Sequence, residues 1–203
     1  MTTATKMHYQ LKATLNGIRP PIWRRILVPH DITLAALHEV LQIAFGWTDS
    51  HLHEFTAGDT LYGQSDPDCG TVRKDEHRAR LHRVLTAPGA RMTYTYDFGD
   101  DWEHTIVLEK VLTPDPQDAG TAFCSAGARA CPPEDCGGPW GYEELLAALR
   151  DPKHPEHQQM REWLVEDFDP ESFDAQEVNE LLAELQLRPP APTGRRRNRA
   201  GSA

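Results

Sequence analysis

The chain has 203 residues, of which 39% are apolar and 26% charged, and its formal net charge is −10. Such a length can bury a core without disulfide staples, and no apolar run is long enough for a membrane helix. Met1 to His8 has no apolar stretch of the signal-peptide kind, so the expected compartment is the cytoplasm.

The charge is unevenly spread. Residues 1–112 carry 12 Lys/Arg against 14 Asp/Glu, residues 113–187 carry 4 against 17, and the last sixteen residues carry five Arg and no acid. An acidic C-terminal half repels a phosphate backbone, which disfavours nucleic acid as a partner for that surface. The expected organisation is one α+β domain over 1–187 with a disordered basic tail over 188–203.

In chain order, Tyr9, Leu11, Ala13 and Leu15 alternate with polar neighbours and predict a strand ending at Asn16-Gly17. After Pro20-Pro21, residues 22–28 predict a second strand with Arg24 and Ile26 on one face. Leu34, Leu37, Leu41 and Phe45 then recur at helical spacing, with Asp31 or Thr33 as cap and Gly46 as stop. His51–Phe55 and Thr60–Tyr62 predict short strands around a Gly58-Asp59 turn, and 63–77 predicts an exposed loop. Residues 79–85 suit a further strand. Met92, Tyr94, Tyr96 and Phe98 alternate strongly, and Gly99-Asp100-Asp101 turns the chain into a long strand over 102–112.

Beyond Pro114 the pattern is irregular up to Pro139, and three helical segments follow. Their apolar stripes are Tyr142/Leu145/Leu146/Leu149, Met160/Trp163/Leu164 and Val178/Leu181/Leu182/Leu185, with Asp174 opening the last. The expected fold is therefore α+β: an antiparallel sheet packed on one amphipathic helix, followed by a helical C-terminal half.

Three segments could carry chemistry. His51 and His53 sit two apart and share a strand face, so both imidazoles can approach one metal ion or simply line the sheet, with Glu54 as a polar neighbour. Asp97, Asp100, Asp101, Glu103 and His104 crowd a strand–turn–strand junction. Such carboxylates suit Mg²⁺ or acid–base work, and Asp97 equally suits a turn and His104 a packed position. Cys124, Cys131 and Cys136 crowd a segment stiffened by Pro132-Pro133 and hinged at Gly137-Gly138, with Glu134 and Asp135 held between two thiols. Three thiolates and one histidine would make a tetrahedral zinc site, although the spacings are not those of a zinc ribbon. The alternative is a rigid crossover with buried cysteines.

Ile18–Ile26, Leu37–Trp47, His51–Phe55, Tyr96–His104, Cys131–Gly138, Gly141-Tyr142 and Phe168–Phe173 together resemble the plasmid pRiA4b ORF-3-like family, also labelled insertion-element passenger TnpR proteins. The resemblance runs over roughly residues 7–186. It implies an α+β domain found partly on plasmids and mobile elements, with no established activity and no assigned catalytic residue. The TnpR label suggests a serine resolvase, which the residues oppose: the first serine is Ser50, and the C-terminal half is acidic rather than basic.

Three readings follow. The first is a mobile-element accessory module that binds an unidentified protein or ligand through His51, His53, Asp97–His104 and Cys131–Cys136. The second is a Zn- or Mg-dependent hydrolase or nuclease using the same groups. The third, less favoured, is nucleic-acid binding through Arg19, Arg24 and Arg25 with Trp23 stacking on bases.

Overall fold

The computed structural model describes residues 7–64, 72–115, 120–164 and 168–187. Its elements in order are β1 (His8–Leu15), β2 (Trp23–Pro29), α1 (Leu34–Phe45), β3 (His53–Ala57), β4 (Thr60–Gly63), α2 (Leu81–Val84), β5 (Arg91–Tyr96), β6 (Trp102–Leu112), β7 (Phe123–Ala128), α3 (Gly138–Arg150), α4 (His157–Trp163) and α5 (Ala175–Glu184). The strands form one seven-stranded sheet in the order β4-β3-β5-β6-β1-β2-β7, with every neighbouring pair antiparallel.

Strand alternation gives the sheet one apolar and one polar face. Leu11, Ala13, Leu15, Ile26, Val28, Phe55, Met92, Tyr94, Tyr96, Trp102, Ile106 and Leu108 are all buried. The opposite face carries Lys12, Arg25 and Glu109, with Arg25 Nε donating to Glu109 at 2.7 Å and Gln10 donating to the same carboxylate at 2.8 Å. This in/out division is what an antiparallel sheet with one wet face requires. Leu34, Leu37, Val40, Leu41, Ala44 and Phe45 of α1 contribute to the core over the apolar face. Thr33 caps that helix through the Ala36 N–H, and Gly46 ends it at a φ of 87°.

Two expectations are corrected. The fold is not a sheet packed on one helix and followed by a helical half. The C-terminal part supplies β7, which extends the sheet beyond β2, and α5 returns to pack on it. Asn179 of α5 donates to the Cys124 carbonyl at 2.9 Å and accepts from the Cys124 N–H at 2.7 Å. Phe-Cys-Ser-Ala-Gly-Ala has no alternating apolar side chains, so β7 is held by ladder bonds and by the helix above it rather than by a burial pattern visible in sequence. Residues 81–84 form a helical turn instead of a strand, with only Leu81 buried.

Cys69 and the basic tail from Arg188 lie outside the described residues. Among those described, no helix is long and apolar enough to cross a membrane.

Candidate functional site

Because β3 and β5 run antiparallel, with His53 opposite Tyr96, the start of β3 and the end of β5 meet at one end of the sheet. His51 precedes β3 there, and the Leu52 carbonyl accepts the Asp97 N–H at 2.9 Å. The 131–137 loop packs over this corner. Trp47 Nε1 donates to the Pro132 carbonyl at 3.3 Å, and the Gly137 N–H donates to Asp100 Oδ2 at 3.0 Å. A Cβ on Gly138, where φ is 69°, would collide with the Asp100 carbonyl, so the approach of loop to turn requires glycine.

Four side chains converge at this corner. His51 Nε2 lies 3.2 Å from Asp135 Oδ1, 3.7 Å from Asp97 Oδ2 and 3.8 Å from Glu134 Oε2. None of these is a hydrogen bond, and the nitrogen is buried. Ligand atoms of His51, Asp97 and Asp135 lie within 4.8 Å of one another.

Two of the carboxylates are divided in their use. Asp97 Oδ1 accepts the Gly99 N–H at 2.9 Å, while Oδ2 turns to His51. Glu134 Oε1 accepts from the Thr48 N–H at 2.9 Å and the Tyr96 hydroxyl at 3.0 Å, while Oε2 faces His51 and lies 3.4 Å from the same hydroxyl. In each, one oxygen carries the short bonds to the scaffold and the other faces the histidine. Asp97 and Asp135 hold φ of 55° and 58°, in the left-handed region that is sparsely populated outside glycine. Burial and the Glu134 carboxylate push the Tyr96 phenol well above its usual range, so it remains a donor.

A second grouping lies beneath α1. His38 stacks on His53 with ring centroids 3.5 Å apart and planes 6° from parallel. His38 Nε2 is 2.8 Å from Asp49 Oδ1, its Nδ1 is 2.8 Å from the Tyr94 hydroxyl, and His53 Nε2 is 2.8 Å from Glu76 Oε2. Gln42 ties the set together, donating to the Tyr94 hydroxyl at 2.9 Å and accepting the Asp49 N–H at 2.9 Å. Burial and the neighbouring His53 lower the His38 pKa. His38, Asp49, His51, His53 and Glu76 share a cleft of about 420 Å³.

The remaining sequence candidates fall elsewhere. Asp101 is exposed at the turn, at a φ of 55°. His104 is fully buried, bonded through Nδ1 to the Tyr94 carbonyl at 3.2 Å and edge-on to Phe45 and Trp47; burial drives its pKa down to about 3, so it is a neutral core residue. Glu54 pairs with Arg73.

The three described thiols pack with the core, and neither grouping includes one. Burial raises the pKa of each, that of Cys136 to about 12, so they are thiols rather than thiolates at neutral pH. It is the acids between Cys131 and Cys136 that reach the corner.

Arg24 is buried, donating to the Ala44 carbonyl at 2.7 Å and lying 4.2 Å from the Phe173 ring centre. Arg25 is paired with Glu109, and the Lys12 and Arg25 cations lie 5.0 and 5.2 Å from the Trp23 ring centre. Arg19 is exposed.

His38, Asp49, Glu76 and Tyr96 were not singled out from sequence. His38 and Gln42 are polar residues inside an apolar helical stripe, a signal that could have marked them. Glu76, in a segment read as an exposed loop, gave none.

The fold and corner define an α+β protein with histidine–carboxylate groupings at one end of an antiparallel sheet. The chain belongs to the plasmid pRiA4b ORF-3-like family, whose sequence pattern matches residues 7–177. It is 41% identical over 178 residues to the uncharacterized protein y4hQ of Sinorhizobium fredii, covering 87% of this chain and 91% of that one. It also resembles the crystal structure of MM3350, a protein of unknown function from Methanosarcina mazei, with a TM-score of 0.76 and 39% identity over 86% of this chain and 99% of that one.

Proposed function

We propose that this protein is a divalent-cation-dependent binding module, an accessory component of the plasmids or mobile elements that carry it. In this reading His51, Asp97, Glu134 and Asp135 hold the ion, which in turn holds the ligand. The observation that carries the reading is the divided use of Asp97 and Glu134. Each commits one oxygen to short scaffold bonds and turns the other, in Glu134 with only a 3.4 Å contact to the Tyr96 hydroxyl, toward a histidine nitrogen that has no hydrogen bond of its own.

Three carboxylates brought this close repel one another, and a cation among them reverses that sign. One imidazole and three carboxylates suit Mn²⁺ or Mg²⁺ better than a thiolate-loving ion. Asp135 is 71% exposed, so one side of the ion would face solvent and exchange water for a ligand oxygen.

That open side also favours a second reading, metal-dependent hydrolysis, in which the exchangeable water becomes the nucleophile. Calorimetric titration of the purified protein with Mn²⁺ tests the cation. Binding lost by at least about a hundredfold in Asp97→Asn, with the fold intact, is the expected result; equal affinity in the variant sinks the proposal. Manganese-dependent cleavage of phosphoester substrates that disappears in the same variant would select the hydrolytic reading over the binding one.

A further inference from the structure

The cleft of about 420 Å³ beneath α1 shares His51 with the corner and is otherwise built from different residues. Its acids are Glu39, Asp49 and Glu76, accompanied by four histidines, and no described Lys or Arg lines it. We propose that this cleft binds an organic cation through a guanidinium group. The inference goes beyond the corner reading and stands whether or not the corner holds a metal ion.

Three features support it. The first is Glu76, whose side chain is only 4% exposed. Its Oε2 lies 2.8 Å from His53 Nε2, whereas Oε1 has no hydrogen bond among the described residues, and no described Lys or Arg pairs with either oxygen. The Ala35 N–H donates to the Glu76 carbonyl at 3.4 Å, which ties this residue to the first turn of α1. A buried carboxylate with an open oxygen lacks the donors that water would otherwise supply, and a ligand N–H restores them.

The second is crowded negative charge nearer the surface. Glu39 is exposed and the Asp49 side chain is 58% exposed. Burial and the Asp49 carboxylate raise the Glu39 pKa. An entering cation meets these two acids before the buried one, and it relieves their mutual repulsion.

The third is the fixed orientation of the acids. The His38 and His53 rings stack 3.5 Å apart, and each Nε2 lies 2.8 Å from one carboxylate oxygen, of Asp49 and of Glu76 respectively. With Gln42 donating to the Tyr94 hydroxyl, that hydroxyl donates to His38 Nδ1 and leaves the ring proton on Nε2, against Asp49. Burial keeps His38 neutral, so Asp49 gains a bond without losing its charge. A planar guanidinium carries five N–H donors in one fork and can bond two such carboxylates together. The volume is at the small end of the range for ligand pockets and suits a head of that size.

Metal-free protein kept in a chelator would be titrated calorimetrically with agmatine, with the tripeptide Gly-Arg-Gly and with tetramethylammonium, a cation that has no N–H. Binding of agmatine or of the tripeptide below millimolar concentration is expected, with tetramethylammonium at least about tenfold weaker. The tighter of the two guanidinium probes shows whether the ligand is a free small cation or an arginine side chain. Glu76→Gln should lose at least about tenfold in guanidinium affinity, while Asp97→Asn keeps it. Should Glu76→Gln fail to fold, Asp49→Asn decides, since that side chain is largely exposed and asparagine tolerates its φ of 56°; a loss of at least about threefold is expected there.

No binding of either guanidinium probe at millimolar concentration, equal affinity for tetramethylammonium, or unchanged affinity in the deciding variant overturns the site. Mn²⁺ binding lost in Asp97→Asn with agmatine binding retained reports on the corner alone, so the two readings fail independently.

Discussion

The corner around His51 and the layer beneath α1 use the same residue types, yet they are built in opposite ways. At the corner, carboxylates outnumber the single imidazole and come from three distant stretches: residue 51, the turn at 97 and the loop at 134–135. Beneath α1, imidazoles and phenols dominate, in a layer of His38, His53, Tyr94 and His104 that a helix and adjacent strands hold rigidly. The His51 Nε2 is without a hydrogen bond, whereas both nitrogens of His38 have a partner. A layer that is already bonded derives stability from its polar groups. A corner that gathers like charges carries a repulsion that a bound cation would relieve.

Acid separates the two regions most sharply. The folded-state pKa of His104 is about 3, below the ordinary 6.5, and that of His38 is also lowered, in both cases chiefly by burial. The unfolded chain therefore takes up these protons at a higher pH than the folded one. Their contribution to stability is complete above pH 6.5 and is lost as pH falls toward 3. For His104 alone the loss approaches about 4 to 5 kcal/mol at the bottom of that window. Urea unfolding between pH 7 and pH 4 checks this, and a flat profile would contradict a neutral buried His104.

The next largest effect concerns the corner. Asp97→Asn should weaken Mn²⁺ binding by at least about a hundredfold, near 3 kcal/mol, while leaving thermal stability unchanged or raised, since it removes a like charge. A folded variant that still binds Mn²⁺ as wild type does would remove the difference between the regions.

Gly138→Ala should cost about 2 to 3 kcal/mol, through a left-handed backbone and a collision with the Asp100 carbonyl, and should weaken Mn²⁺ binding with it. Thermal melts and titration on one sample show whether the two losses travel together. Tyr96→Phe should have the smallest effect. Deleting the hydroxyl that anchors Glu134 should cost about 1 kcal/mol of stability and up to about tenfold in Mn²⁺ affinity.

Much of the frame was legible in the residues. The alternation at Met92, Tyr94 and Tyr96 became β5, and the stripe Leu34, Leu37, Leu41, Phe45 became α1 with Thr33 as its cap. Periodic burial leaves a mark at every second or every third and fourth residue, and these elements carry it. β7 carries no such mark, because an edge strand of small residues is held by its neighbours. Without that mark the seventh strand is expected at 79–85, where the chain is helical over 81–84, and the C-terminal part is expected to be helical alone.

The site was half legible. His51, His53, Asp97 and the Cys131–Cys136 loop stand out in the residues, and of that loop it is Glu134 and Asp135, rather than the thiols, that lie against His51. Spacing along a chain says nothing of which side chains a rigid loop turns inward.

Composition and periodicity alone determined the class of most elements, the stop of α1, the acidic balance of the second half and the segments worth watching. Tertiary structure decided which of those segments meet. His51 comes within reach of Glu134 and Asp135 only because β3 and β5 end together and Gly138 lets the loop close on the Asp100 turn. His38 faces His53 only because α1 lies across β3. Contacts between residues tens of positions apart depend on the path of the whole chain, and local pattern carries no record of that path.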